Sequence, residues 1–190
     1  MNKKILYFHN VSIQKKKNYM NRKNKVFIGI GSNLKGHMCS SKKIIDIVLY
    51  YISLKGLRVV RKSSIYKSKP NPLGLGPSFY NRVILVESSL SALSILSLLN
   101  SVENNFGRKR KKYKNMSRIL DLDIIDCRRE LISNDLLSLP HPRINERDFV
   151  LRPLLEIEPN WIHPKNNKKI KSLLVKNNRY SINKAIKINK

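Results

Sequence analysis

Three observations predict an α+β fold built on a central antiparallel sheet. Buried-strand patterns alternate with two segments of helical period, in the order β-α-β-β-α-β. Segments rich in Pro, Gly or charge fall between those elements, where chain reversals are needed. Hydrophobic residues make up 41% of a 190-residue chain, enough for one domain with its own core.

The elements follow in order. Val26-Phe27-Ile28-Gly29-Ile30 is a run of strand formers that ends in Gly31-Ser32-Asn33-Leu34, a turn of small and Asn residues. Residues 41–54 place Ile44, Ile45, Val48, Leu49 and Ile52 at helical spacing, and Gly56 ends that helix. Leu57 to Lys67 reads as one strand, with Val59, Val60 and Ile65 apolar. Residues 69–78 hold three prolines and two glycines and form a loop. Phe79 to Glu87 is the next strand. Ser91 to Phe106 is an amphipathic helix with Leu93, Leu96, Leu99 and Val102 on one face.

A basic loop, 107–118, precedes a strand from Ile119 to Asp126. An extended pair then leads to Leu139-Pro140-His141-Pro142. Residues 145–157 are a helix in which Pro153 belongs near the first turn or forms a kink. This order predicts a ferredoxin-like three-layer sandwich. The domain is placed at 25–175. Residues 1–24 read as a basic extension, disordered or added by a start codon upstream of Met20, and 176–190 read as a basic tail.

The 39 Lys and Arg outnumber the 12 Asp and Glu, for a net charge of +27. This balance implies anionic partners. Residues 1–24 and 163–190 contain no acidic residue, and more than half of the excess sits there. No apolar run approaches the roughly 18 residues of a membrane span. Cys39 and Cys127 cannot form a disulfide scaffold, and no His/Cys cluster has zinc spacing. The expected setting is the cytoplasm, with no membrane and no specific nucleic acid as partner.

Asp121-Leu122-Asp123 is the sharpest chemical signal. Residues two apart on a strand face the same way, so both carboxylates project from one face. Their repulsion is relieved by a hard cation such as Mg²⁺ or by salt bridges to nearby arginines. Seven basic residues lie just before them, from Arg108 to Arg118. That set suits a triphosphate, whose charge metal and guanidinium groups share, and it equally suits a solvated charge run. No Walker A or kinase Gly-rich loop is present. Phe79 and Asn81 share a strand face, an aromatic beside an amide, which suits a flat heterocycle or plain core. His141 lies between two prolines, with Arg147 and Phe149 following it.

Read together, these segments resemble the 6-hydroxymethyl-7,8-dihydropterin pyrophosphokinase family from about Val26 to Pro164. The strongest part is Gly107-Arg108 through Arg118-x-Leu120-Asp121-Leu122-Asp123-Ile124-Ile125. Gly31-Ser32-Asn33-Leu34, Ser63-Ser64-x-Tyr66, Phe79-x-Asn81 and the run from Leu139-Pro140-His141-Pro142-Arg143 to Leu154 support it. Well-known members carry Trp-Gly-Pro where this chain has Asn115-Met116-Ser117.

The resemblance implies diphosphate transfer from ATP to the pterin hydroxymethyl group, with release of AMP, in folate synthesis. It assigns two Mg²⁺ ions to Asp121 and Asp123, and the triphosphate to Arg108 and Arg118. Asn100, Glu103, Arg110, His141 and Arg147 match positions near the nucleotide. The pterin would stack between Phe79 and Phe149, its edge read by Asn81 and by backbone near Ser68. Other folate-pathway enzymes are possible partners. Two rivals are a basic domain that contacts RNA, although no RNP-type aromatic strand is evident, and a decayed enzyme, which the intact motif residues argue against.

Overall fold

The computed structural model describes residues 24–34, 39–70, 76–107, 118–180 and 184–188. The N-terminal extension through Lys23, half of the Pro/Gly loop (71–75) and the basic stretch 108–117, with Arg108 and Arg110, lie outside the described residues.

The sheet order is β5-β1-β4-β3-β8, built from β1 (Asn24–Ser32), β3 (Tyr66–Ser68), β4 (Phe79–Ser88), β5 (Asp121–Cys127) and β8 (Ile186–Lys187). Strand β2 (Arg58–Lys62) also pairs with β4. Each of these pairings is antiparallel. A short hairpin, β6 (Ile132–Ser133) with β7 (Ser138–Leu139), is the expected extended pair.

Alternate residues of the central strands feed two separate cores. Ile28, Ile30, Ile84, Val86, Leu122 and Ile124 pack on one face against α1 (Ser41–Leu54) and α2 (Ala92–Asn105). Phe27, Val83, Leu85 and Ile125 pack on the other against α3 (Asp148–Ile157) and α4 (Ile170–Tyr180). Each fully buried Ile, Leu or Val is worth about 1.5–3 kcal/mol of transfer free energy, so the strands are held from both sides.

Both N-terminal helices begin on a serine cap. Ser40 and Ser91 accept hydrogen bonds from the backbone N–H groups of Lys43 and Ser94. Helix α1 ends where Gly56 takes φ +86°, and the Leu57 N–H reaches back to the Ile52 carbonyl.

Three elements depart from the sequence reading. The single strand expected over 57–67 is broken at Ser63-Ser64-Ile65, because Glu156 on α3 captures the Ser64 N–H and hydroxyl at 3.1 and 2.8 Å. The helix expected over 145–157 divides into a 3₁₀ turn, Ile144–Glu146, and α3. Pro153 then falls in the second turn of α3, with no N–H to give the Phe149 carbonyl. Beyond Ile157, where no element is expected, α4 buries Ile170, Leu173 and Leu174, and β8 extends the sheet.

Among the described residues no helix is long and apolar enough to cross a membrane. Cys39 and Cys127 are both free thiols. Burial pushes the Cys127 thiol up to about 12, so it stays protonated.

Candidate active site

A cleft of about 420 Å³ opens on the α3 side of the sheet. Its floor is β1, where Gly29 and Gly31 stand opposite Asp123 and Asp121 of β5 and Val83 and Asn81 of β4. A Cβ at Gly31 would lie 3.4 Å from Asn81 Oδ1 and 3.8 Å from the Asp121 Cβ. The absence of side chains at these two positions keeps the floor low. Neither glycine was expected as part of the site. The signal was the G-x-G spacing in a strand, which removes two side chains from one face.

The structure brings six of the expected site residues to this one cleft. They are Asn81, Asp121, Asp123, His141, Arg147 and Phe149. Asp121 and Asp123 share a face of β5, as their spacing requires. Arg118 Nη1 donates to Asp121 Oδ1 at 2.8 Å, and Arg147 Nη1 donates to Asp123 Oδ2 at 2.7 Å. Burial alone would raise the Asp123 pKa. The positive charge of Arg147, with contributions from His141 and Arg118, outweighs that and holds the carboxyl below its usual range.

His141 is tied to the sheet by its backbone N–H, which donates to the Ile125 carbonyl at 2.9 Å. Its Nδ1 accepts from the Arg143 N–H at 3.1 Å, and its Nε2 lies 3.7 Å from Asp123 Oδ2. Burial, reinforced by the Arg147 charge, lowers its pKa to about 4. The ring is therefore neutral near pH 7. With Nδ1 accepting, Nε2 bears the proton and points it toward the carboxylate.

Across β1 from Asp121, Asn81 Nδ2 donates to Ser68 Oγ at 2.9 Å. Ser68 stands opposite Phe79 in the β3–β4 pair. Phe79 shares the face of Asn81 but sits beyond the cleft wall, half-buried at the start of β4. Phe149 lies on the opposite rim, with the Arg147 guanidinium 5.7 Å from its ring centre.

Asn100 and Glu103 do not line the cleft. They ride on α2, whose Ile95, Leu99 and Val102 pack on the other face of the sheet. Glu103 is buried, and its Oε1 accepts from the Leu122 N–H at 2.7 Å. That bond grips β5 between the two aspartates.

The sequence of the chain matches the family model for 7,8-dihydro-6-hydroxymethylpterin-pyrophosphokinase (HPPK) over residues 27–159. The chain belongs to the HPPK family. Among curated relatives, it is 37% identical to the 2-amino-4-hydroxy-6-hydroxymethyldihydropteridine pyrophosphokinase of Helicobacter pylori, covering 69% of this chain and 79% of that one. The Aquifex aeolicus enzyme of the same name is 34% identical, covering 80% and 91%. The folic acid synthesis protein fol1 of Pneumocystis carinii is 40% identical over 73% of this chain, which spans only 18% of that protein.

Among solved structures, wild-type Plasmodium falciparum HPPK-DHPS superposes with a TM-score of 0.65 at 14% identity. The match covers 86% of this chain and 48% of that one, and is a likeness of fold. The family and the names of these relatives indicate an HPPK, a pyrophosphokinase of hydroxymethyldihydropterin in folate synthesis and a transferase.

Proposed function

We propose that this chain transfers an intact diphosphate from ATP to the hydroxymethyl group of 6-hydroxymethyl-7,8-dihydropterin, releasing AMP. The observation that carries the proposal is the pairing of Asp121 and Asp123 with Arg118 and Arg147 on one side of a cleft that has Asn81 on the other side of β1.

Asp121 and Asp123 fit Mg²⁺ by donor chemistry: hard carboxylate oxygens on one strand face, beside cations suited to phosphate. They would hold the two ions assigned to them, and bound Mg²⁺ would neutralise phosphate charge. Among the described residues no cluster of three or more His, Cys, Asp and Glu could hold a metal alone, so phosphate oxygens would complete the coordination.

The remaining roles fall to side chains. Arg118, with Arg108, binds the transferred phosphates and stabilises charge as the bond to AMP breaks. Arg147 would donate to phosphate when Asp123 holds Mg²⁺. Neutral His141 offers Nε2–H to an anionic oxygen without adding charge. Arg110 completes the nucleotide side, and Glu103 acts from behind the sheet through its grip on β5. Asn81, oriented by Ser68, reads the pterin edge, and Phe149 with Phe79 supplies stacking. The hydroxyl attacks the β-phosphorus directly, so positioning and electrostatics account for the catalysis without a side-chain nucleophile.

The same proposal takes the fold as ferredoxin-like, which the strand order and the helices on both sheet faces support. The names HPPK-DHPS and folate synthesis bifunctional protein support another folate-pathway enzyme as partner. The test is purified protein with ATP, Mg²⁺ and the reduced pterin, scored for AMP. Pterin-dependent AMP is expected, and AMP release that ignores the pterin would overturn the proposal.

A further inference from the structure

Asp148 sits between two cleft residues, Arg147 and Phe149, yet its own side chain points the other way. It is 2% exposed, at the first position of α3. Its Oδ2 accepts from the Ala185 N–H at 2.7 Å, and Arg152 Nε donates to both of its oxygens, at 2.9 and 2.7 Å. Ala185 is itself buried and leads directly into β8, which pairs Ile186 and Lys187 with Lys67 and Tyr66. The Ile188 N–H adds a bond to the Ile65 carbonyl at 2.9 Å. The C-terminal segment is thus anchored to the sheet edge that carries Ser68 and reaches across to the first turn of α3.

We infer that the Asp148–Ala185 hydrogen bond positions the Arg147–Phe149 turn, making Asp148 a positioning residue for substrate binding. This rests on the function proposed above, because Arg147 and Phe149 matter only through their ligands. A buried carboxylate bonded to a backbone N–H at short range resists displacement. A turn fixed at its middle residue carries its two neighbours to the cleft in one orientation. Small misplacements of such groups have large effects on binding and rate. The basic tail, which the amino-acid pattern leaves without a role, becomes part of the site's support.

The test removes the bond from each side in the full-length chain. Ala185→Pro deletes the donor, Asp148→Ala deletes the acceptor, and Ala185→Gly keeps both. Calorimetry measures binding of the reduced pterin with Mg²⁺ and a non-hydrolysable ATP analogue. Hydrogen exchange follows the Val150 and Leu151 amides, which both bond to the Arg147 carbonyl at 2.9 Å and need no ligand to report.

The two deleting variants should bind pterin about tenfold or more weakly and exchange those amides faster, while Ala185→Gly matches the parent. Parent-like binding in both deleting variants overturns the inference, as does equal weakening in Ala185→Gly. Loss of the whole fold in both deleting variants would assign the bond to stability alone and also overturn it. If the parent itself binds no pterin, the functional proposal fails separately. The exchange rates then decide: faster exchange upholds the positioning and unchanged exchange refutes it.

Discussion

Asn33 and Arg118 hold each other by two hydrogen bonds across 85 residues of sequence, and Leu34 adds a third. The Asn33 side-chain oxygen accepts from the Arg118 N–H at 2.7 Å. The Arg118 carbonyl in turn accepts from the backbone N–H groups of Asn33 and Leu34, both at 3.2 Å. Asn33 Nδ2 donates to the Pro77 carbonyl at 3.3 Å, so one buried amide ties together the segments leading into β4 and β5. Asn33→Ala should cost about 1–3 kcal/mol of stability, since it removes the oxygen that accepts from the Arg118 N–H. It should also lower turnover at least about tenfold through misplacement of the Arg118 side chain. Denaturant titration and steady-state AMP formation check the two parts. A stable variant with parental turnover would show that Arg118 is held by other means.

Asp123→Ala should lower pterin-dependent turnover by several orders of magnitude, on the scale expected when the charge-stabilising centre of a dry site is lost. It leaves Arg147 Nη1 and His141 Nε2 facing a cavity in place of their carboxylate. The fold should persist, because Asp123 is half-exposed and outside both cores. Single-turnover kinetics beside circular dichroism separates the two effects. Turnover within about tenfold of the parent would remove Asp123 from the proposed metal pair.

The Asp121–Asp123 pairing was legible because strand period alone places both carboxylates on one face. Helix α1 was legible for a similar reason: its apolar spacing, serine cap and terminal glycine are all local. What could not be read depends on contacts between distant residues. The break between β2 and β3 is made by Glu156, 92 residues away from Ser64. Glu103 is placed near the nucleotide by resemblance, and its grip on the Leu122 N–H shows only once β5 lies beside its helix. Strand β8 has two exposed residues and no pattern, and only the free edge of β3 defines it.

Gly31→Val should weaken pterin binding by more than about tenfold with little loss of stability. A single methyl at Gly31 meets Asn81 Oδ1 at 3.4 Å, tight but tolerable, so Gly31→Ala should be mild. Valine places further carbon atoms in the open floor beside Asn81 and Asp121. Calorimetric titration with the reduced pterin distinguishes the two variants. Equal affinity in Gly31→Val and the parent would mean that the pterin does not lie over β1.

The last prediction concerns Glu156 and acid. Its Oε1 accepts from Ser64, and its Oε2 accepts from the Tyr66 hydroxyl at 2.9 Å, with Lys187 Nζ 3.3 Å from Oε1. Partial burial would raise its pKa, but the hydrogen bonds from Ser64 and Tyr66, with Lys187 beside them, hold it below the usual 4.5. The unfolded chain therefore takes up this proton at a higher pH than the folded one does. The carboxylate's contribution to stability is complete above 4.5 and is lost as the pH falls through the lower folded value. Glu156→Gln should destabilise the protein by about 1–2 kcal/mol at neutral pH. The gap between parent and variant should then narrow steadily as the pH drops below about 5. Paired urea titrations across that range measure it. A gap that stays constant or widens in acid would show that the clamp on Ser64 and Tyr66 does not depend on the charge of Glu156.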